Sequence, residues 1–327
     1  MAPSPEPTES DRLRRSWDRC DSATLDVYLV SGVEDPRINV PSILGRGLLC
    51  DTLFPGRFAH QIEEELRFGF AMTWLVGQLD HGVPAETLLR SFETGGQGVC
   101  PDFLLDTFER LQRTDSLVPD YLTLALADRR TQDGLSLESL DVFQIFWRRA
   151  LQNLSHESYE LFEAACGSAN DYRAIASCGL ARFFRYTGVD IAAKNIDNAR
   201  RRFPNVDFRV GDLLNSRLPD RAFDFSFAYD VFEHLSPEAL SRAVSELLRV
   251  TRREAWLHLF NAANTSSHQI HPVGDYYWNA LSLGRMIGLL EQSASHVEVV
   301  SIAELAQTKF GFRHYYNPNA YALLAIR

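Results

Sequence analysis

The segment YELFEAACGSANDY, residues 159–172, decides how this sequence folds. It begins as an apolar run that ends in Glu163 and continues as small and polar residues. Comparable apolar runs follow, with helical patterns between them, at 185–190, 206–210, 223–228, 255–260, 297–302 and 320–326. Strands that alternate with helices predict parallel βαβ units and an α/β fold. The clearest helix among them is predicted at 236–250, with Ser236 as its N-cap.

The sequence before this segment has no alternating strand pattern and is typical of helices. Apolar residues recur at helical spacing in five stretches, at 62–79, 85–92, 101–111, 121–127 and 137–151. Prolines and glycines divide 22–57 into what we expect to be short pieces. The polar, proline-rich residues 1–20 are expected to form a disordered tail and not a signal peptide. We therefore predict a helical N-terminal domain at 21–152 and an α/β domain at 153–327.

Composition and charge restrict the classes of function. The 327 residues carry 33 Lys and Arg against 43 Asp and Glu, a formal charge of −10, which argues against a nucleic-acid partner. Five widely spaced cysteines without a CxxC pair argue against a zinc site and a disulfide framework. No uninterrupted apolar stretch is long enough to suggest a membrane span. We expect a cytoplasmic protein with no nucleic-acid or membrane partner and no bound metal.

Acidic residues follow several of the predicted strands, at Glu163, Asp190, Asp212 and Asp230. In an open parallel sheet, ligands bind outside the carboxyl ends of the strands, and an acid after the second strand can hold ribose hydroxyls. A dinucleotide would need a glycine-rich pyrophosphate cradle, but only Gly167 stands where three glycines are expected. The pattern therefore favours a phosphate-free, cationic nucleoside, and S-adenosylmethionine has those properties.

The same residues carry a family resemblance. LFEAACGSA at 161–169 resembles motif I of the class I S-adenosylmethionine-dependent methyltransferases, usually Asp/Glu-x-Gly-x-Gly-x-Gly, with alanine at 165 and 169 in place of two glycines. TGVDI at 187–191 looks like motif II, VGDL at 210–213 like motif III, and FD at 223–224 through FEHL at 232–235 like the stretch that follows. The resemblance covers about residues 158–262 and continues more loosely to 327. It implies a Rossmann-like, mostly parallel sheet of seven strands.

The resemblance also implies a cofactor site for S-adenosylmethionine. Glu163 would lie near the methionine amino group, Asp190 would hold the ribose, and Asp212 with Leu213 would face the adenine. Tyr229 and Asp230 would border the methyl-donor pocket. The remaining expected contacts come from the loop after the first strand and from the residue after Asp190: Cys166, Gly167, Ser168 and Ile191. We expect Cys166 to be a small buried residue and not a nucleophile.

Transfer to a hydroxyl would need a general base, which we expect among His268, His271 and Asp230. The acceptor-binding candidates are His234, Tyr276, Tyr277 and His314. The predicted function is methyl transfer to a hydroxyl or amine of a small molecule, such as a natural-product intermediate. The helical domain is expected to cover the acceptor site or to form a homodimer contact. Two alternatives remain open: a binding or scaffold protein that has lost transfer activity, and a protein or RNA methyltransferase.

Overall fold

The computed structural model describes residues 40–94, 100–114, 141–273, 276–313, 315 and 317–327. The expected tail at 1–20 and the helix expected at 121–127 lie outside these residues. The strands of the second half are β1 Tyr159–Ala164, β2 Phe184–Asp190, β3 Asp207–Val210, β4 Phe223–Tyr229, β5 Thr251–Leu259, the two-residue strands β6 Ala262–Ala263, β7 Pro272–Val273, β8 Tyr276–Tyr277 and β9 Leu281–Ser282, then β10 His296–Ser301 and β11 Tyr321–Ile326.

Seven of these strands form one sheet in the order β10-β11-β5-β4-β1-β2-β3. The neighbours from β5 to β3 are parallel, whereas β11 runs antiparallel to both β10 and β5. This confirms the expected Rossmann-like, mostly parallel sheet. Because β1 lies between β2 and β4, the chain crosses to opposite sides of β1, and the carboxyl ends of these three strands meet at the point where ligands bind in such sheets.

Helices cover both faces of the sheet. They are α1 Val40–Leu53, α2 Ala59–Asp80, α3 Ala85–Glu93, α4 Asp102–Thr114, α5 Asp141–Leu151, α6 Asn170–Ser177, α7 Ala193–Arg202, α8 Pro237–Val250, α9 Leu283–Glu291 and α10 Ile302–Phe310. The N-cap expected for α8 is present, since Ser236 Oγ accepts a hydrogen bond from the backbone N–H of Ala239. The apolar stripes of α8 and α9 pack on one sheet face, and those of α1, α5, α6 and α7 pack on the other.

One helix departs from the sequence pattern. Residues 40–53 form a continuous helix, α1, where prolines and glycines indicated short pieces. Pro41 falls in the first turn, where its missing N–H is no loss. A Cβ on Gly45 would lie 1.8 Å from Tyr229 Oη, and one on Gly47 would lie 2.7 Å from Ile62 Cγ2. The two glycines therefore permit close packing and do not end the helix.

The N-terminal helices pack directly against the α/β part of the chain. An apolar cluster joins residues of α1, α2 and α4 to Ile302, Ala306 and Phe310 of α10 and to Phe312. Phe103 stacks on Phe312, with ring centroids 4.7 Å apart. Helix α1 therefore lies between this cluster and the sheet, beside the carboxyl end of β4.

Candidate active site

A buried acid lies at the end of the central strand. Glu163 of β1 is 2% exposed and accepts a hydrogen bond from the hydroxyl of Tyr186 on the neighbouring strand. Burial raises the pKa of Glu163 well above its ordinary value, and the nearby Asp171 and Asp190 raise it further, against the hydrogen bond from Tyr186. A carboxyl group in this state gains a favourable interaction when a positive charge arrives beside it.

A second acid, Asp171, lies in the first turn of α6, and the sequence analysis did not single it out. Its Oδ1 accepts a hydrogen bond from Ser42 of α1, so the N-terminal helices contribute to this side of the site. Burial raises the pKa of Asp171 to about 6, against the opposing hydrogen bond from Ser42, and the charge of Asp230 adds to the increase. The buried Glu163 and the partly buried Asp171 are thus both bonded to neutral hydroxyls.

Asp190 organises the loop that follows β1. Its Oδ2 accepts the backbone N–H of Gly167 at 2.9 Å, and its Oδ1 accepts the N–H of Ala192 at 2.8 Å and the amide of Asn195 at 3.2 Å. Burial raises the pKa of Asp190, while these hydrogen bonds oppose the increase. A carboxylate has about four acceptor positions, so one remains for a ribose hydroxyl.

The loop keeps a glycine-like backbone although it contains alanine. Ala165 has φ 58°, Gly167 has φ 52° and Ala169 has φ 68°, all in the left-handed region. An alanine there costs roughly 1–2 kcal/mol relative to an ordinary conformation. Cys166 lies between them, buried, with its N–H bonded to the Val189 carbonyl at 3.0 Å. Because burial raises the pKa of its thiol well above the ordinary value, Cys166 is a poor nucleophile.

The other cofactor candidates flank this loop. Ser168 is buried and accepts a hydrogen bond from Asn198 at 3.2 Å. Asp212 follows β3 and accepts the N–H of Leu214 at 2.8 Å, which fixes the turn. Leu213 and Ile191 are partly buried at the edge of the apolar cluster beneath α8. Ser168 follows β1, Ile191 follows β2, and Asp212 and Leu213 follow β3, so these residues lie beyond the carboxyl ends of neighbouring strands.

Asp230 follows β4 and forms a pair that the sequence analysis did not identify. Its Oδ1 lies 2.6 Å from Nδ1 of His258 on β5, and its backbone N–H donates to the His258 carbonyl at 3.2 Å. Asp230 has φ 54°, an unfavourable backbone conformation of the kind that clusters at functional sites. Tyr229, the residue before it, places its ring against His258 at 5.9 Å and its hydroxyl against Gly45 of α1.

The segment between β5 and α9 is fixed over the turn that follows β4. Asn279 is fully buried, and its backbone N–H and side-chain amide donate to the carbonyls of Glu233 and Leu235 at 2.9 and 2.7 Å. Asn261 contributes a backbone N–H to Glu233 Oε1 at 3.1 Å. Burial, with the charge of Asp230, raises the pKa of Glu233 to about 7. This network closes one side of the site.

Three rings form an aromatic wall at that closure. His234, Phe260 and Trp278 lie with ring centroids 5.2 to 5.6 Å apart, and Trp278 is 39% exposed. His234 Nδ1 lies 3.0 Å from the carbonyl of Tyr277, so Nδ1 carries the proton. Burial lowers the pKa of His234, which keeps the ring neutral. Tyr276 and Tyr277 form β8, and His314 lies outside the described residues.

The two histidines expected as bases occupy different surroundings. His268 Nδ1 accepts the backbone N–H of Ser282 at 3.0 Å, which uses the lone pair of its neutral ring. Burial lowers the pKa of His268, and Arg285 lowers it further. The side chain of His271 is exposed, and its backbone N–H donates to Asn279 at 3.0 Å. Neither arrangement matches the close pairing of Asp230 with His258.

The described residues contain no group of three or more histidine, cysteine, aspartate or glutamate side chains placed to bind a metal ion. None of the helices within them has the length and apolar character required to cross a lipid bilayer.

The residues at this site fit S-adenosylmethionine. Glu163, Asp171 and Asp230 act on one another electrostatically, and the first two are bonded to neutral hydroxyls, so a sulfonium and an ammonium group would offset their repulsion. Sequence reasoning missed Asp171 and His258. Asp171 directly follows the motif I loop, and His258 is the one polar residue in the apolar run at 255–260, a local signal that the sequence analysis did not use.

The comparisons with known proteins agree with this geometry. A family model described as a methyltransferase domain matches residues 161–254. A probable S-adenosylmethionine-dependent methyltransferase from Mycolicibacterium smegmatis is 30% identical over 193 residues, which cover 56% of this chain and 69% of that protein. Malonyl-[acyl-carrier protein] O-methyltransferase from Serratia marcescens is 35% identical over 98 residues, which cover 30% of this chain and 36% of that enzyme.

Among solved structures, a methyltransferase from Methanosarcina mazei superimposes with a TM-score of 0.41 at 17% identity, covering 54% of this chain and 96% of that one. The family model matches the part of the chain that contains most of β1, all of β2 and β4, and the acids at their ends, and the M. smegmatis relative is matched over more than two thirds of its length. This chain therefore belongs to the class I S-adenosylmethionine-dependent methyltransferases.

Proposed function

We propose that this methyltransferase acts on an oxygen or nitrogen atom of a small molecule, such as a natural-product intermediate. The observation that carries the proposal is the row of four acids, Glu163, Asp171, Asp190 and Asp230, around the carboxyl ends of β1, β2 and β4. S-adenosylmethionine supplies an electrophilic methyl group on a sulfonium cation when it is bound. A row of carboxyls suits that charge and would repel the phosphates of a dinucleotide.

The proposed cofactor contacts follow the strand ends. Asp190 accepts a ribose hydroxyl while it holds the loop at Gly167, and Glu163 lies near the methionine ammonium group. Asp212 and Leu213 face the adenine, and Tyr229 borders the methyl-donor pocket. The pocket wall is completed by the buried or partly buried residues of the same loops, Cys166, Ser168 and Ile191.

Asp230 is the proposed proton acceptor. Its carboxylate is bonded to His258 through Oδ1. The side chain of Asp230 is 47% exposed, so Oδ2 can reach an acceptor hydroxyl or amine. This role is favoured over His268, whose ring lone pair is already bonded to the Ser282 backbone, and over the exposed His271. Both histidines remain alternatives for binding the acceptor or its proton.

The acceptor is proposed to bind against the aromatic wall of His234, Phe260 and Trp278, with Tyr276, Tyr277 and His314 as further candidates. The exposed ring of Trp278, backed by the partly buried rings of His234 and Phe260, favours a planar or apolar molecule. Helix α1 lies against Tyr229, and Asn279 holds its segment over the turn that follows β4, which favours a small acceptor over a folded macromolecule. The net charge of −10 also disfavours RNA.

Residues 21–152 are proposed as a domain that covers the acceptor side or forms a homodimer contact, and 153–327 as the catalytic domain. The contacts of α1 with Tyr229 and Asp171 support the covering role. A cytoplasmic location belongs to the same proposal. It is supported by the free thiols of Cys50, Cys100, Cys166 and Cys178, because cytosolic reductants keep cysteines in this state.

Isothermal titration calorimetry tests the cofactor site. We expect S-adenosylmethionine to bind and Asp190→Ala to weaken binding tenfold or more, because a hydrogen bond to a charged group contributes about 1.5–3 kcal/mol. Asp197→Ala, an exposed position on α7, is the matched control and should leave the affinity unchanged. Thermal unfolding of each variant separates lost binding from lost folding. Absence of binding heat with the intact wild-type protein would contradict the proposed function.

Transfer is tested with methyl-tritiated S-adenosylmethionine and a cell extract separated into small-molecule, protein and RNA fractions. We expect label in the small-molecule fraction, lost with Asp230→Asn although the cofactor still binds. Label in the protein or RNA fraction would contradict the small-molecule assignment. Cofactor binding without label in any fraction would favour the alternative of an inactive binding protein.

A further inference from the structure

Asp230 and His258 form a couple that joins the exposed site to the buried sheet. The imidazole Nδ1 lies 2.6 Å from Asp230 Oδ1, and the backbone N–H of Asp230 donates to the carbonyl of His258 at 3.2 Å. These two contacts hold the carboxylate in a fixed orientation at the carboxyl end of β4. The two side chains therefore form one hydrogen-bonded unit.

The two members of the couple differ in exposure. The side chain of Asp230 is 47% exposed, whereas that of His258 is 5% exposed. The other ring nitrogen, His258 Nε2, is buried and has no hydrogen-bond partner among the described residues. An imidazole in this position is unusual, because buried polar atoms nearly always have a partner. Among the described residues, the hydrogen bond to Asp230 is therefore the side-chain contact that orients this ring.

The groups around His258 are acidic or neutral. They are Asp230 after β4, Glu233 in the following turn, Asp171 on α6 and Tyr229 on β4, and Glu298 of β10 lines the same crevice against α1. Burial by itself lowers the pKa of His258, but the carboxylate of Asp230 outweighs it, with help from Glu233 and Asp171, so the pKa is raised above its ordinary value. The neighbouring carboxylates therefore favour the imidazolium form of His258 more than bulk water would.

A cationic cofactor changes this balance. Asp171 interacts with Glu163 on one side and with Asp230 and His258 on the other, so the couple belongs to the acidic row that would hold the cofactor. Two positive charges close together in a poorly solvated site repel strongly. A sulfonium beside Asp230 would therefore disfavour the imidazolium and favour release of its proton.

We propose that Asp230 and His258 hold one exchangeable proton, which leaves when the cationic cofactor binds and is replaced by the acceptor's proton during methyl transfer. The acceptor atom forms a bond to the methyl carbon, the electron pair of the broken sulfur–carbon bond stays on sulfur, and the acceptor's proton enters the couple at Asp230 Oδ2. The couple passes from a net charge of −1 to zero as the cofactor loses its positive charge. His258 is thus a positioning and proton-storing residue that acts through Asp230. This inference rests on the proposed function.

Proton release during binding provides the test, and it needs no acceptor. Isothermal titration near pH 7 in phosphate and in Tris, buffers with different ionisation enthalpies, gives the number of protons released. We compare S-adenosylmethionine with S-adenosylhomocysteine, which lacks the sulfonium charge. We expect the wild-type protein to release more protons with the former, and His258→Asn to reduce this difference by up to about one proton. Release from carboxyl groups such as Asp171 persists in this variant, so the reduction isolates the couple.

Two controls separate the outcomes. His296→Asn, on the exposed edge strand β10, should release as many protons as the wild type. In imidazole NMR of the wild-type protein, the His258 signal is assigned by its loss in His258→Asn or His258→Gln. This signal should show a protonated ring in the cofactor-free protein and a neutral ring in the complex with S-adenosylmethionine. The inference would be overturned if His258→Asn bound the cofactor and released as many protons as the wild type. It would also be overturned if the cofactor bound to the wild type without changing the His258 signal. Either result would leave the proposed function intact. Absence of binding would instead contradict the proposed function.

Discussion

Gly45 is the residue through which the N-terminal helices approach the methyl-donor site. The hydroxyl of Tyr229 occupies the space that a side chain at position 45 would fill, with Oη only 1.8 Å from an ideal Cβ. Tyr229 is one residue before Asp230, so the position of α1 and the geometry of the couple are linked. A single missing methyl group therefore determines how closely α1 lies over the sheet.

Gly45→Ala should disturb this contact. Overpacking costs about 1–3 kcal/mol when a stiff ring must move, so we expect a lower free energy of unfolding and weaker binding of S-adenosylmethionine. Gly77→Ala is the matched control, because Gly77 is also inside a helix but has open space around it. That variant should be stabilised by roughly 0.5–1 kcal/mol through higher helix propensity.

Denaturant unfolding and calorimetry of both variants measure the two effects. If Gly45→Ala were as stable as Gly77→Ala and bound the cofactor equally well, α1 would not be fixed against Tyr229 in the way the structure describes.

Individual site residues differ in how far sequence predicts them. Glu163 and Asp190 lie at strand ends because apolar runs of fixed length precede them, and motif spacing therefore finds them. His258 depends on register instead, since it faces Asp230 only because β4 and β5 pair Tyr229 with His258. Asp171 depends on the helix turn after the loop. Pairing between strands far apart in sequence cannot be read from either strand alone.

At the scale of elements, buried strands are the most predictable part of the chain. At 223–228, phenylalanines alternate with Asp224 and Ser226, the period of two that is typical of a strand, and the observed strand Phe223–Tyr229 coincides with this pattern. Helix α1 was not predicted, because its glycines at 45 and 47 are typical breakers in isolation. Tertiary contacts with Tyr229 and Ile62 favour glycine there and override local propensity.

A buried ion pair joins four of these elements. Glu65 of α2 accepts hydrogen bonds from Arg46 of α1 and, at 2.7 Å, from Trp147 of α5, while Arg46 also donates to the carbonyl of Ala174 in α6 at 3.1 Å. The side chains of Arg46 and Glu65 are both 8% exposed. Removing one charge would leave the other buried without a partner, which is costly in a poorly solvated interior.

Glu65→Gln should therefore destabilise the protein by about 3 kcal/mol or more. Lys309→Ala is the matched control, because it removes a pair between α10 and Glu63 of α2 that is largely exposed. Such a pair contributes at most about 1 kcal/mol. Urea unfolding at neutral pH gives both values. Similar small losses in the two variants would mean that the buried pair does not hold the N-terminal helices to α6.

At the scale of the whole molecule, acidic groups concentrate where a cation is expected. The chain carries a net charge of −10, and burial raises the pKa of Asp171 to about 6 and that of Glu163 well above its ordinary value. The folded protein therefore keeps protons on these groups at a pH where the unfolded chain has lost them. Their contribution to stability falls as pH rises from about 4 through about 6, because burial disfavours the ionised forms in the folded state and the neighbouring acids add to this.

A cationic cofactor bound beside these acids should offset the stability that is lost when they ionise. S-adenosylmethionine should raise the melting temperature more at pH 7.5 than at pH 5.5, because its positive charges favour ionised carboxyls and its affinity increases as they lose protons. S-adenosylhomocysteine should show a weaker dependence on pH, since it lacks the sulfonium. Asp171→Asn should reduce the dependence for S-adenosylmethionine. Glu246→Gln should not, because Arg249 lowers the pKa of Glu246 to about 2 and keeps it ionised at both pH values. Equal gains in melting temperature at both pH values would mean that the acids at the strand ends do not respond to the charge of the cofactor.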